Sequence, residues 1–184
     1  DSCMWQSKQS NKLYMATASE DTTIIVSEYN MSGSSIPLVP QCHLIAHTSS
    51  VRALQCLPTA LKDNEWILFA GGSDEQLSCW RLSEEANNGI KCELLLLSHI
   101  SKQFLQQFHA DDIANNPNVS KTIGWRIMAL EAFVIDLQKQ LYGIVIGSTD
   151  KLVKLFVLNC STKSLIPIAS SSLSDNEESN MGPI

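Results

Sequence analysis

Ile67-Leu-Phe-Ala-Gly-Gly-Ser-Asp74-Glu-Gln-Leu-Ser-Cys-Trp80-Arg81 is an apolar strand, a run of small residues, an Asp, and a second, alternating strand. An Asp at such a corner closes a tight hairpin by accepting backbone N–H bonds from the residues just after it. Small residues before it let neighbouring strands approach closely. Two other stretches follow the same template. They are Met15-Ala-Thr-Ala-Ser-Glu-Asp21-Thr-Thr-Ile-Ile-Val-Ser-Glu28 and Val145-Ile-Gly-Ser-Thr-Asp150-Lys-Leu-Val-Lys-Leu-Phe156-Val157. Counted from the Asp, position +3 is Ile24, Leu77 or Val153, and position +5 is Val26, Cys79 or Leu155. A strand's period of two places these on one face. At +6 stand Ser27, Trp80 and Phe156. One such hairpin is commonplace; three in one frame are a repeat.

Working outward, the pattern predicts eleven strands, near 14–19, 24–29, 41–46, 50–56, 66–72, 76–82, 91–97, 125–133, 142–148, 152–159 and 163–169. The hairpin repeats then lie near 14–29, 66–82 and 142–159. Upstream of the middle copy runs Leu44-Ile-Ala-His47-Thr-Ser-Ser-Val51-Arg-Ala-Leu54-Gln-Cys-Leu57-Pro58. The whole unit resembles a WD40 repeat, with Ala46-His47 for the usual Gly-His and Trp80-Arg81 for the usual Trp-Asp. The resemblance implies an all-β, WD40 β-propeller fragment of about three blades over residues 1–169. It also implies a structural network in which His47 bonds the hairpin Asp74 and Trp80 backs the pair. The fit is partial. Strand 67–72 has no Ser or Thr to complete the network, and Ser27 and Phe156 replace the Trp in the outer copies.

The hairpin Asp residues are 53 and 76 positions apart (74 − 21 and 150 − 74). A plain repeat of this kind takes ~40–45 residues. The excess sits in 30–40, in 59–65 and above all in the insertion 99–124. There Ile100, Phe104, Leu105 and Phe108 fall at helical spacing, before Asn115-Asn-Pro117 breaks the pattern. This predicts a helical insertion that either covers apolar surface or carries a partner. Residues 170–184 are polar and acidic, and are expected to be a linker or loop. Insertions leave room for three blades rather than four, too few to close a ring. The chain therefore reads as part of a longer propeller that begins inside one blade.

Composition narrows the function. The 184 residues are 44% hydrophobic and 17% charged, as in a packed domain, and no apolar run approaches the ~20 residues of a membrane helix. A net charge of -6 argues against long-range attraction of a phosphate backbone. Arg52, Lys91, Lys102, Lys121, Arg126, Lys151 and Lys154 are dispersed and expected to be solvated. Cysteines 3, 42, 56, 79, 92 and 160 show no Cys-x-x-Cys spacing. Cys56 and Cys79 sit in strand patterns as reduced core residues.

No catalytic set stands out. His43 and His47 share no ligand face on a strand–turn segment, and His99, His109, Asp111 and Asp112 are expected on a surface helix. Gly71-Gly72 precedes a hairpin and is no phosphate cradle. The chain is therefore expected to be no enzyme, with no cofactor, no metal and no small-molecule substrate.

The order of features carries a closer likeness. Glu20-Asp-Thr-Thr23 is followed by His47-Thr-Ser-Ser-Val-Arg52-Ala, Ala70-Gly-Gly, the Ser98-His99 insertion, Arg126-Ile-Met-Ala-Leu and Gly147-Ser-Thr-Asp150-Lys-Leu-Val-Lys-Leu-Phe156. This resembles the WD-repeat family that assists an FtsJ-type tRNA 2′-O-ribose methyltransferase. The resemblance implies a cytoplasmic, non-catalytic scaffold. It would position tRNA for methylation of the wobble nucleotide of the anticodon loop, its partners being that methyltransferase and tRNA. A general protein-interaction scaffold with no RNA role is the other reading of the same fold.

Overall fold

The computed structural model describes residues 1–29, 38–59, 62–85, 89–100 and 126–172. Their regular structure is all-β: twelve strands in three four-stranded antiparallel sheets. Sheet 1 holds β1 (Ser2–Gln6), β2 (Leu13–Ala18), β3 (Thr23–Tyr29) and β4 (Leu38–Ile45). Sheet 2 holds β5 (Val51–Pro58), β6 (Glu65–Gly72), β7 (Gln76–Glu85) and β8 (Gly89–His99). Sheet 3 holds β9 (Ile127–Asp136), β10 (Leu141–Ser148), β11 (Leu152–Asn159) and β12 (Ser164–Ser172). Each sheet is a simple meander in which sequence neighbours pair.

A strand stands at each of the eleven positions expected. The twelfth, β1, was not expected, because Ser2-Cys-Met-Trp-Gln6 is short and lacks a preceding turn signal. It pairs with β2 across five residues and completes sheet 1. At the other end β12 runs to Ser172, so residues 170–172 are strand rather than linker. The insertion changes too: His99 ends β8, and the rest of the expected helix, residues 101–124, lies outside the described residues. Residues 173–184 also lie outside them.

The repeat is visible in the hydrogen-bond register. Each third-to-fourth strand pair carries one irregularity, between Val26 and Ser27, between Cys79 and Trp80, and between Leu155 and Phe156. Ser27, Trp80 and Phe156 therefore occupy one geometric place, just past a bulge, although their side chains differ. A bulge tightens local twist, and its recurrence gives the three sheets a common shape.

The sheets stack face to face in chain order, with β5 beside β1 and β9, and β8 beside β4. The +3/+5 face of sheet 1, with Ile24, Val26, Tyr14 and Ala16, meets Trp80, Leu82, Leu68 and Ala70 of sheet 2. The opposite face of sheet 2, with Leu77, Cys79, Ile67 and Phe69, meets Phe156, Leu158, Ile144 and Ile146 of sheet 3. One rule thus makes both seams: the +3/+5 face of a sheet covers the +4/+6 face of the next. Being covered twice, β6 buries all eight residues, which is why it reads as an apolar run from Trp66 onward. In β11, covered once, burial alternates instead.

Among the described residues, no sheet covers the outer faces of the stack. On sheet 3 this face exposes Phe133 and Ile166, and on sheet 1 it exposes Met4, Tyr29 and Ile45. Phe133 lies over Gly143 so closely that a Cβ there would fall 2.2 Å from the ring.

Candidate functional site

The seam between sheets 1 and 2 gathers the polar residues singled out in the sequence. His47 lies in the link from β4 to β5, buried against Gly72. Its Nε2 stands 2.8 Å from Ser78 Oγ, and Trp80 Nε1 donates to the same oxygen at 3.0 Å. The imidazole tautomer sets which of the two donates in the His47–Ser78 bond, and the Ser78 oxygen accepts from Trp80 in either case. His47 Nδ1 has no protein partner. Ser78 was not expected in the network: the hydroxyl is supplied not by strand 67–72 but two residues before Trp80 on β7, on the same face as Trp80.

Asp74 is not part of this set. The expected His47–Asp74 bond is replaced by His47–Ser78, and the turn explains why. Asp74 and Glu75 both have positive φ, 57° and 61°, so the β6–β7 hairpin closes in two residues, with Asp74 exposed at its tip. Asp21 and Asp150 behave as the template predicts. Each is followed by one left-handed residue, Thr22 (φ 77°) or Lys151 (φ 62°), and accepts the N–H two residues on, at 3.0 Å from Thr23 and 3.1 Å from Leu152. In the middle hairpin the linking work passes to Gln76, whose Oε1 accepts the Thr48 N–H at 2.8 Å. Ser50 and Ser73 join hydroxyls alongside, at 2.8 Å.

Sheet 3 holds its own polar set. Lys154, expected at the surface, is only 3% exposed, with Nζ bonded to Asp150 and Ser148. Burial pulls its pKa down against the opposing attraction of Asp150 and Glu75. Position +4 is the covered face in sheet 3, so a Lys there is buried and is paired. Arg52, Lys91, Arg126 and Lys151 remain at least partly exposed, whereas Lys102 and Lys121 lie outside the described residues.

At the far rim Glu84 ties sheet 2 to sheet 1 through Ser7 Oγ at 2.5 Å and Tyr14 Oη at 2.9 Å. Partial burial works against its charge, but the hydroxyls of Ser10, Ser7 and Tyr14 hold its carboxyl below the ordinary range. Beside it lies a hollow of about 340 Å³ lined by Arg81, Glu85 and Glu93, with charges of both signs. Among the described residues no group of three or more His, Cys, Asp or Glu is placed to hold a metal, and no helix is long and apolar enough to cross a membrane. His109, Asp111 and Asp112 lie outside those residues.

Of these polar sets, the ones around His47 and Glu84 join sheets 1 and 2, whereas the Lys154 set lies within sheet 3. No known family model matches the chain, and no curated protein matches it.

The seam makes a direct prediction. His47→Ala or Ser78→Ala should each cost about 1–3 kcal/mol, by leaving a buried partner unpaired. Asp74→Ala should cost under about 0.5 kcal/mol, as for an exposed site. Urea unfolding separates the three variants, and an Asp74 loss equal to that of His47 would contradict the network. Burial also lowers the His47 pKa from 6.5 to about 4. The unfolded chain then takes up a proton near pH 6.5 that the folded one refuses until about 4. Stability tied to His47 is complete above pH 6.5 and is lost as pH falls towards 4. His47→Ala should flatten the fall in melting temperature between pH 7 and pH 5.

Proposed function

We propose that this chain is a run of consecutive blades of a WD40-type β-propeller, and that it acts as a non-catalytic scaffold. In this reading it helps to position tRNA so that an FtsJ-type methyltransferase modifies the 2′-O-ribose of the wobble nucleotide in the anticodon loop, in the cytoplasm. The observation that carries the propeller reading is the repeated seam. Three meanders share a bulge position, and one stacking rule orders them. The uncovered faces of sheets 1 and 3 are then surfaces that neighbouring blades would cover, since an apolar sheet face needs a partner. The tRNA role rests on the order of motifs, from Glu20-Asp21-Thr22-Thr23 through Val51-Arg52-Ala53 to Gly147–Phe156.

A second reading, a protein-interaction scaffold with no RNA role, is favoured by one observation, the net charge of -6. The first reading accommodates this charge if the segment faces the methyltransferase and other parts of the assembly contact the RNA. The test is made in cells. Deleting the protein should abolish wobble 2′-O-ribose methylation, and the full-length protein should co-purify an FtsJ-like methyltransferase. Normal methylation in the deletion strain would leave only the second reading standing.

A further inference from the structure

The six cysteines, scattered in the sequence, meet across the seams. The Cys79 thiol of β7 is hydrogen-bonded to Cys160 between sheets 2 and 3, and Cys56 of β5 lies close enough to Cys3 of β1 to feel its charge. The third pair is Cys42 of β4 and Cys92 of β8, whose thiols are hydrogen-bonded to each other between the outer strands of sheets 1 and 2.

Three separate contacts hold those strands together. Gln41 rests on Gly89, where φ is +75° and a Cβ would fall 2.0 Å from Oε1. The Cys42 thiol donates to the Ile90 carbonyl. The Cys42 and Cys92 thiols then meet. Both residues are half-buried, whereas Cys79 is sealed in the core. Access therefore separates this pair from the Cys79–Cys160 pair.

We propose that Cys42 and Cys92 form a reversible disulfide site that staples sheet 1 to sheet 2. Donation from the Cys92 S–H pulls Cys42 down despite its partial burial, and the same bond, with burial, pushes Cys92 up, so Cys42 is the thiol that ionises first. The oxidant is a small disulfide such as oxidised glutathione. The Cys42 thiolate attacks one glutathione sulfur, breaking its S–S bond and releasing one glutathione thiolate. Cys92 then loses its proton and attacks Cys42 Sγ, releasing the second. Two protein thiols become one disulfide, two glutathione thiols form, and the two protons pass to them. Closure spans 50 positions (92 − 42) and ties strands that no main-chain ladder joins.

The test is incubation of the full chain with oxidised glutathione, followed by alkylation and peptide mapping by mass spectrometry. The expected product is a Cys42–Cys92 linked peptide about 2 Da lighter than the two thiol peptides. Cys79 and Cys160 should be alkylated only after unfolding. Oxidation should raise the melting temperature by roughly 5–10 °C, and dithiothreitol should reverse the rise. Cys42→Ser and Cys92→Ser should each abolish both the linked peptide and the rise, while matching the reduced wild type without oxidant. Should Cys92→Ser fold poorly, Cys92→Ala serves in its place. A stable glutathione adduct on Cys42 with Cys92 left free, or Cys42 linked elsewhere, overturns the proposal.

Discussion

Phe69→Ala should lower the stability of this protein by about 3–5 kcal/mol, the range for removing a fully buried aromatic ring. Phe69 is 0% exposed on β6, the strand covered on both sides. Its ring meets Tyr142 of sheet 3 edge-on, with centroids 5.8 Å apart and planes at 61°. The neighbours Ile67, Leu77 and Cys79 sit on two strands whose ladders fix them, so they cannot collapse into the vacated space. The matched control is Phe133→Ala. That ring is 44% exposed on the open face of sheet 3 and touches Gly143 of its own sheet. Its loss should cost about 1 kcal/mol or less. Urea unfolding of both variants tests which face of sheet 3 is covered. Equal losses would mean that the sheets are not stacked by the rule described above.

The strands and their hairpins were legible because period-two alternation and small-small-x-Asp corners are local properties of the chain. Even the shared place of Ser27, Trp80 and Phe156 could be counted from the Asp. Turn type could not. Ser73-Asp74-Glu75-Gln76 closes in two left-handed residues, a conformation that Gly usually supplies, so Asp74 turned outward and the network settled on Ser78. Face assignment failed at Lys154 for a different reason. Positions +3 and +5 do share one face in every copy, but the covered face depends on which neighbour a sheet has. Among the described residues sheet 3 packs on sheet 2, which covers +4 and +6. The cysteine pairs were illegible in principle, since they are set by how one sheet lies on the next and by no spacing along the chain.

One feature of the sequence did encode a seam, and it yields the second large effect. Gly71 was expected to let strands approach, and a Cβ built there would lie 2.5 Å from Ile127 Cγ2 and 3.2 Å from Ile127 Cβ. Ile127 opens β9 and is fully buried, so sheet 3 presses on β6 at Gly71. Gly71→Ala should therefore cost about 1–3 kcal/mol through overpacking, against the usual small gain from replacing a glycine in a strand. Ile127→Ala should cost about 2–5 kcal/mol by opening a cavity at the same point. The double variant should be more stable than the sum of the two losses allows, by about 1 kcal/mol or more, because the new methyl enters the space that Ile127 vacates. A purely additive result would mean that the two residues do not touch. The coupling sign matters because strain within one strand would be unaffected by trimming a residue of another sheet. Relief by Ile127→Ala arises only if β6 and β9 press together at Gly71, which is the contact that the repeated stacking requires.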